Sequence, residues 1–189
     1  MLVPKANAYL ELPAKLVAAG YTWSARPSGH WAPAIVELLN QVMASSQAFY
    51  RERPMSVCEC QNWLANKCNL GQPLWVLEHQ QQLAAFASWQ PFRPQECTQG
   101  SLEHSIYVAP EHQRRGLARL LLQQVLSSAL QQGVWQLLAA IDQGNQASIN
   151  LHSAFGFTQV GSLPRLARKG DQWLTLEIWA KSLQPPEPN

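Results

Sequence analysis

The apolar positions of this chain change period at Gly71. Before it they favour helices. Leu10, Leu12, Leu16 and Val17 share one face of a short segment, limited at its start by Pro13 and closed by Gly20. Residues 21–26 read as a first strand, ended by Pro27, Ser28 and Gly29. Across residues 31–43, Ile35, Leu38, Leu39 and Val42 fall on one side of a helix. A polar loop through Ser45, Ser46 and Gln47 carries Phe49 and Tyr50. Ser56 is the N-cap candidate of a second helix that includes Trp63 and Leu64, and Glu59 stands where it completes a capping box.

After Gly71 strands dominate. Residues 74–77 and 83–89 flank the polar turn 79–82 as a hairpin. Pro91-Phe92-Arg93-Pro94 interrupts, and a further strand spans residues 101–109. A helix follows Gly116, runs to about Gln132 and stops at Gly133. Residues 135–141 read as a buried strand, 142–147 as a loop with Gly144 and Asn145, and 148–155 as a short helix ended by Gly156. Residues 157–163 and 173–180 are the last strands, with Arg165, Arg168 and Lys169 in a solvated loop between them. The order β-α-α-β-β-β-α-β-α-β-β predicts an α/β (α+β) fold, a mixed sheet flanked by helices. The proline-rich tail, residues 184–189, reads as a frayed end.

Composition narrows the class. The 189 residues suit one domain with one sizeable core. Charged residues make up 14%, below the ~25% usual in soluble domains, and glutamine supplies part of the polar surface. A net charge of +2 without a long basic run argues against nucleic acid. No apolar stretch reaches the ~18–20 residues of a membrane span. The start, Met1-Leu2-Val3-Pro4-Lys5, lacks the apolar core of a secretion signal, so a cytoplasmic location is expected. Cys58 and Cys60 form a C-x-C pair, while Cys68 and Cys97 stand apart. Without paired C-x-x-C knuckles no metal is expected, and the thiols read as reduced and mostly buried.

The candidate chemistry gathers in residues 103–122. Ser105-Ile106-Tyr107-Val108-Ala109 is rich in β-formers, Pro110 breaks it, and Gln113-Arg114-Arg115-Gly116-Leu117-Ala118 leads into the apolar run Leu117, Leu120, Leu121, Leu122. A turn that opens a helix this way points several backbone N–H groups at one place, and with the helix dipole they make a seat for phosphate. Gly116 permits close approach or positive φ, and Arg114, Arg115 and Arg119 add suitable charge. Taken alone, the same residues fit the basic first turn of a surface helix equally well.

The turn resembles the R/Q-x-x-G-x-G/A cofactor motif of the GNAT N-acetyltransferases, with Ala118 in the last slot. Three further stretches are similar to the phosphinothricin and methionine sulfone/sulfoximine acetyltransferase branch. They are Pro91-Phe92-Arg93 followed by residues 103–108 with their embedded glutamate, residues 145–157 in the pattern N-x-x-S-x-x-L-H-x-x-x-G-F, and the closing Gly170-Asp171-Gln172-Trp173-Leu174. Residues 95–102 depart from the pattern, because an aromatic run is replaced there. The resemblance implies one acetyl-CoA-dependent domain over residues 21–183, with a sheet of about seven strands. Residues 1–20 become an appendage. A small-molecule amine is the implied acceptor and a homodimer the implied assembly.

It also implies roles. An amine attacks a thioester only as the free base, and Glu103, where the strand begins, is the candidate proton acceptor; the bland reading is a strand-edge glutamate facing solvent. Ile106, Tyr107 and Val108 would meet the cofactor, a backbone N–H near Tyr107 or Val108 holding the oxyanion and the strand pairing with the pantetheine amides. Arg114, Arg115, Gly116, Leu117, Ala118 and Arg119 would hold the pyrophosphate, and Asn145 the pantetheine arm unless it is only an N-cap. His152 stands where the leaving thiolate needs a proton or hydrogen bond. It reads as acid, donor or second base, or as a helix histidine satisfied by a carbonyl. Arg93 and Phe92 would grip and wall the acceptor. Two other classes fit the same fold: an acetyltransferase of protein N-termini or lysines, and a non-catalytic acetyl-CoA-binding protein.

Overall fold

The computed structural model describes residues 9–26, 28–46, 50–93 and 95–183. Expectations that fall on residues 1–8, Pro27, Gln47, Phe49, Pro94 and the proline tail lie outside them. In chain order the elements are α1 (Ala14–Ala18), β1 (Tyr21–Trp23), α2 (Ala32–Ser45), α3 (Val57–Asn69), β2 (Leu74–His79), β3 (Gln82–Pro91), β4 (Ser101–Val108), α4 (Leu117–Gln131), β5 (Gln136–Asp142), α5 (Gln146–Ala154), β6 (Thr158–Lys169) and β7 (Gln172–Ser182). Short 3-10 turns precede α2, β4 and α4.

The seven strands form one sheet in the order β1-β2-β3-β4-β5-β7-β6. Only β4 and β5 run parallel, because the crossover through α4 returns the chain to the same end of the sheet. Their pairing is brief. It runs from Ser101↔Gln136 to Glu103↔Leu138 and stops, although both strands continue. Alternation then sorts β4 between two cores. On one face Leu102, Ile106 and Val108 pack with α1 and α4; on the other Tyr107 joins Phe86 beneath α2 and α3.

Local chemistry sets the element ends. Ser56 accepts from Glu59 N at 3.2 Å while the Glu59 carboxylate accepts from Ser56 N at 2.8 Å, the reciprocal box that the S-x-x-E spacing predicts. α5 starts earlier than residue 148, because Asn145 Oδ1 caps Ser148 N at 3.2 Å. β1 ends sooner than residue 26. Its Ser24 Oγ accepts from Trp31 Nε1 at 3.1 Å and Arg26 N at 3.2 Å, which bends the chain into the next turn.

Three expectations are corrected. Arg165, Arg168 and Lys169 belong to β6 rather than to a loop. β6 is longer than its pattern suggests, because its residues are mostly exposed and do not alternate, and its pairing with β7 shifts register between Gln159 and Gly161 and between Leu163 and Ala167. Val17 is 55% exposed, and Leu16 alone of α1 is buried. Cys60 alone among the four cysteines is buried, since Cys58, Cys68 and Cys97 sit on outward faces.

Candidate active site

The basic turn folds as a cradle for an anion. Arg114 adopts φ 60° and Gly116 φ 91°, left-handed conformations that turn the chain sharply into α4. A Cβ on Gly116 would meet nothing within 4 Å, so the backbone there is open to a ligand. Gly116 is the N-cap and brings no side-chain acceptor, so the first N–H groups of a fifteen-residue helix are left for that ligand. Arg114, Gly116, Leu117, Ala118 and Arg119 line a cavity of about 770 Å³. Arg119 also stacks its guanidinium over Phe155 at 4.9 Å. Arg115 lies outside the lining, and its Nη2 donates to the Glu111 carbonyl at 3.1 Å.

The cavity continues from the cradle into the gap where β4 and β5 part. Ile106, Tyr107 and Val108 form one wall, and Ala139, Ala140 and Ile141 the other. Asn145 lines it while capping α5, so its two readings coexist. A long, phosphate-bearing molecule with amides along its arm suits this shape: the cradle takes its phosphates and the freed edge of β4 takes its amides.

Glu103 points to the other side of the sheet. Half-buried, it lines a cavity of about 150 Å³ with Trp63, Phe86, Trp89, Ser105 and Tyr107. Burial pushes its carboxyl upward, and Tyr107 is pushed up to about 12 by burial and by the Glu103 charge. Ser105 and Tyr107 line both cavities, so the small chamber holding the carboxylate adjoins the cleft that fits the cofactor. A half-buried carboxylate so placed is able to take a proton from a group bound where the chamber meets the cleft.

The Acetyltransferase (GNAT) family model matches residues 35–157. The chain belongs to the GNAT acetyltransferases. It is 32% identical over 154 residues to an L-methionine sulfoximine/L-methionine sulfone acetyltransferase of Pseudomonas aeruginosa, covering 81% of this chain and 90% of that one. A phosphinothricin N-acetyltransferase of Alcaligenes faecalis is 31% identical over 153 residues, 80% of this chain and 77% of its own. The structure of yncA, an acetyltransferase from Salmonella typhimurium with its cofactor acetyl-CoA, superposes with a TM-score of 0.82 at 28% identity, covering 89% and 97% of the two chains. The chain is an acetyl-CoA-dependent N-acetyltransferase.

In this acetyltransferase the remaining expected residues are dispersed. Arg93 and Phe92 follow β3, the Arg93 guanidinium 5.9 Å from the Phe92 ring, and neither lines either cavity. His152 lines the cleft but is only 5% exposed. Its Nδ1 lies 2.7 Å from the Ser148 carbonyl and its Nε2 3.0 Å from Nε2 of His104. His104 is buried beside Phe157, and its Nδ1–H donates to the Leu138 carbonyl at 2.8 Å. Glu103 and His104 are adjacent on β4 and so face opposite sides of the sheet, Glu103 into the small chamber and His104 toward His152 of α5.

Sequence reasoning missed His104, Tyr50 and Asp142 as site residues. Tyr50, after α2, donates to Asp142 Oδ2 at 2.6 Å, which ties that segment to the end of β5 at the cleft. Burial and the Asp142 carboxylate raise the Tyr50 hydroxyl well above the usual phenol range. Asp142 Oδ1 accepts from Gly144 N at 2.8 Å. Lys169 at the hairpin tip donates to the carbonyls of Met43 and Ser46, capping the C-terminal end of α2. His104 carried a readable sign, a histidine inside an apolar strand; the others carried none. Among the described residues no cluster of three metal-ligating side chains occurs.

Proposed function

We propose that the enzyme acetylates the primary amine of a small amino acid or analogue, of the methionine sulfone or phosphinothricin type, with Glu103 as general base. The observation that carries this reading is the adjacency of the Glu103 chamber to the cleft through Ser105 and Tyr107. The names of the relatives support the acceptor class. The free amine attacks the thioester carbonyl, Glu103 takes the amine proton directly or through a water, and a backbone N–H of β4 near Tyr107 or Val108 holds the oxyanion. The cradle at Gly116 holds the pyrophosphate, Asn145 and the β4 edge hold the pantetheine arm, and His152 serves the departing sulfur. Phe92 and Arg93, two and three residues beyond the Gln90 that pairs with Glu103, recognise the acceptor carboxylate from the rim. A cytoplasmic homodimer of one domain over residues 21–183 completes the reading.

An amine panel read by thiol release tests it, with methionine sulfone, methionine sulfoximine and phosphinothricin beside the common amino acids and a peptide. Turnover of free amino acids is expected. Turnover of the peptide alone would move the assignment to a protein acetyltransferase.

A further inference from the structure

Two imidazole rings meet, Nε2 to Nε2, near the point where β4 and β5 separate. Both Nδ1 atoms face backbone carbonyls, His104 that of Leu138 at 2.8 Å and His152 that of Ser148 at 2.7 Å. A carbonyl has no proton to give, so each Nδ1 carries its own. A neutral imidazole has one N–H, which would leave two bare Nε2 lone pairs facing each other at 3.0 Å. A hydrogen-bond distance between them requires a further proton. We propose that His104 and His152 hold one shared proton between their Nε2 atoms, and that this buried cation is the counter-charge for the thiolate of departing coenzyme A. His104 is the positioning residue that keeps the charge on the pair. The inference rests on the acetyl-transfer reading above for its role, though not for its proton.

The surroundings oppose a second charge more strongly than a first. Burial disfavours each imidazolium, and the His152 charge opposes protonation of His104. In favour of a single charge, His152 sits in the last turn of α5, at the negative end of its dipole. Charged groups on neighbouring elements are Asp142 of β5, Glu177 of β7, Arg119 of α4 and Lys181 of β7. Glu177 stands opposite Ile141 and accepts from Trp179 Nε1 at 2.9 Å, while Lys181 Nζ lies 3.0 Å from where a Gly156 Cβ would be. Glu103 and Tyr107 point through the other face. When the acyl C–S bond breaks, its electron pair stays on sulfur, the amine proton goes to Glu103, and the thiolate takes a proton from water on release. The histidine pair keeps its proton throughout and lowers the barrier by opposite charge.

The test is NMR of the full chain with nitrogen-15 in its histidines. At neutral pH both Nδ1 atoms should be protonated, and one far-downfield proton should correlate with both Nε2 atoms. His104→Gln should abolish that signal and leave His152 neutral. It should lower kcat by about 10²-fold with the KM for acetyl-CoA unchanged, and the loss should shrink for an acetyl donor with a more acidic leaving group, such as p-nitrophenyl acetate. Two neutral rings, with the Ser148 hydroxyl (3.3 Å away) donating to His152 Nδ1, would overturn the shared proton. A loss of equal size with both donors would reduce His104 to packing. Should His104→Gln not fold, the wild-type spectrum decides alone. Because the spectrum needs no turnover, a protein inactive on every amine would still show or lack the proton.

Discussion

As the proposed base, Glu103 would combine a role in chemistry with a cost to the fold. Its carboxyl is raised by burial, so the folded state binds that proton more tightly than the unfolded chain does. Stability therefore falls as pH rises from the unfolded value through the folded one, and the full cost is present above it. A base must be ionised, so activity falls as pH drops through the same raised value. Glu103→Gln should lower kcat/KM by about 10²–10⁴-fold and melt at a higher temperature than wild type at neutral pH; calorimetry beside kinetics reads both. A variant that kept its activity would remove Glu103 as the base. Glu103 and Gly116 were legible because their signals are local: a carboxylate where a strand begins, a glycine where a helix begins. The pairings of His104 and Tyr50 were not, because the fold brings one its partner from α5 and the other from the end of β5. The separations are 48 residues for His104–His152 and 92 for Tyr50–Asp142, beyond what periodicity or spacing can register.

Among the elements, the junction of β4 with β5 governs how the cleft opens. Gly100 just before β4 accepts from Trp135 N at 2.8 Å and Gln136 N at 3.2 Å, clamping the two strands at their shared end. A Cβ on Gly100 would fall 2.3 Å from the Trp135 ring. To admit the methyl, the half-exposed Trp135 ring must swing outward or the backbone clamp beside it must open, so Gly100→Ala should cost about 1–3 kcal/mol by urea denaturation. It should also raise the KM for acetyl-CoA as the strand separation changes. Unchanged stability would mean the ring yields freely. Helices and inner strands were legible within a few residues, because burial imposes period there. The outer hairpin was underread for the converse reason: Val160, Leu163 and Leu166 are all about half exposed, and no inner face sorts them.

For the whole molecule, the cleft has two walls of different ancestry in the chain. The cofactor wall is one continuous strand-turn-helix unit within residues 101–119. Behind the facing side, where Val42, Ser46 and Asp142 line the cleft, segments far apart in sequence are tied together: Tyr50 to Asp142, and Lys169 to Met43 and Ser46, 126 and 123 residues away. Replacing both bridges, Tyr50→Phe with Lys169→Met, should raise the KM for the acceptor severalfold and leave that for acetyl-CoA nearly unchanged. Initial-rate kinetics with each substrate varied would show the reverse if these bridges served the cofactor.

The early parting of β4 and β5 has a cost of another kind. Beyond Glu103, β4 keeps its neighbour β3 and loses the one on its other side, which makes a sheet edge in the middle of the molecule rather than at its margin. Unpaired edges invite strands from other chains, and proteins blunt them with charge, proline or cover. On the binding mode proposed above, the cover would be the substrate itself. Acetyl-CoA, laid along β4, should raise the melting temperature and suppress aggregation on mild heating, followed by light scattering, whereas adenosine 3′,5′-bisphosphate, which lacks the amide-bearing arm, should protect far less. A cell that keeps its acetyl-CoA high would then be keeping this enzyme from sticking to its own copies.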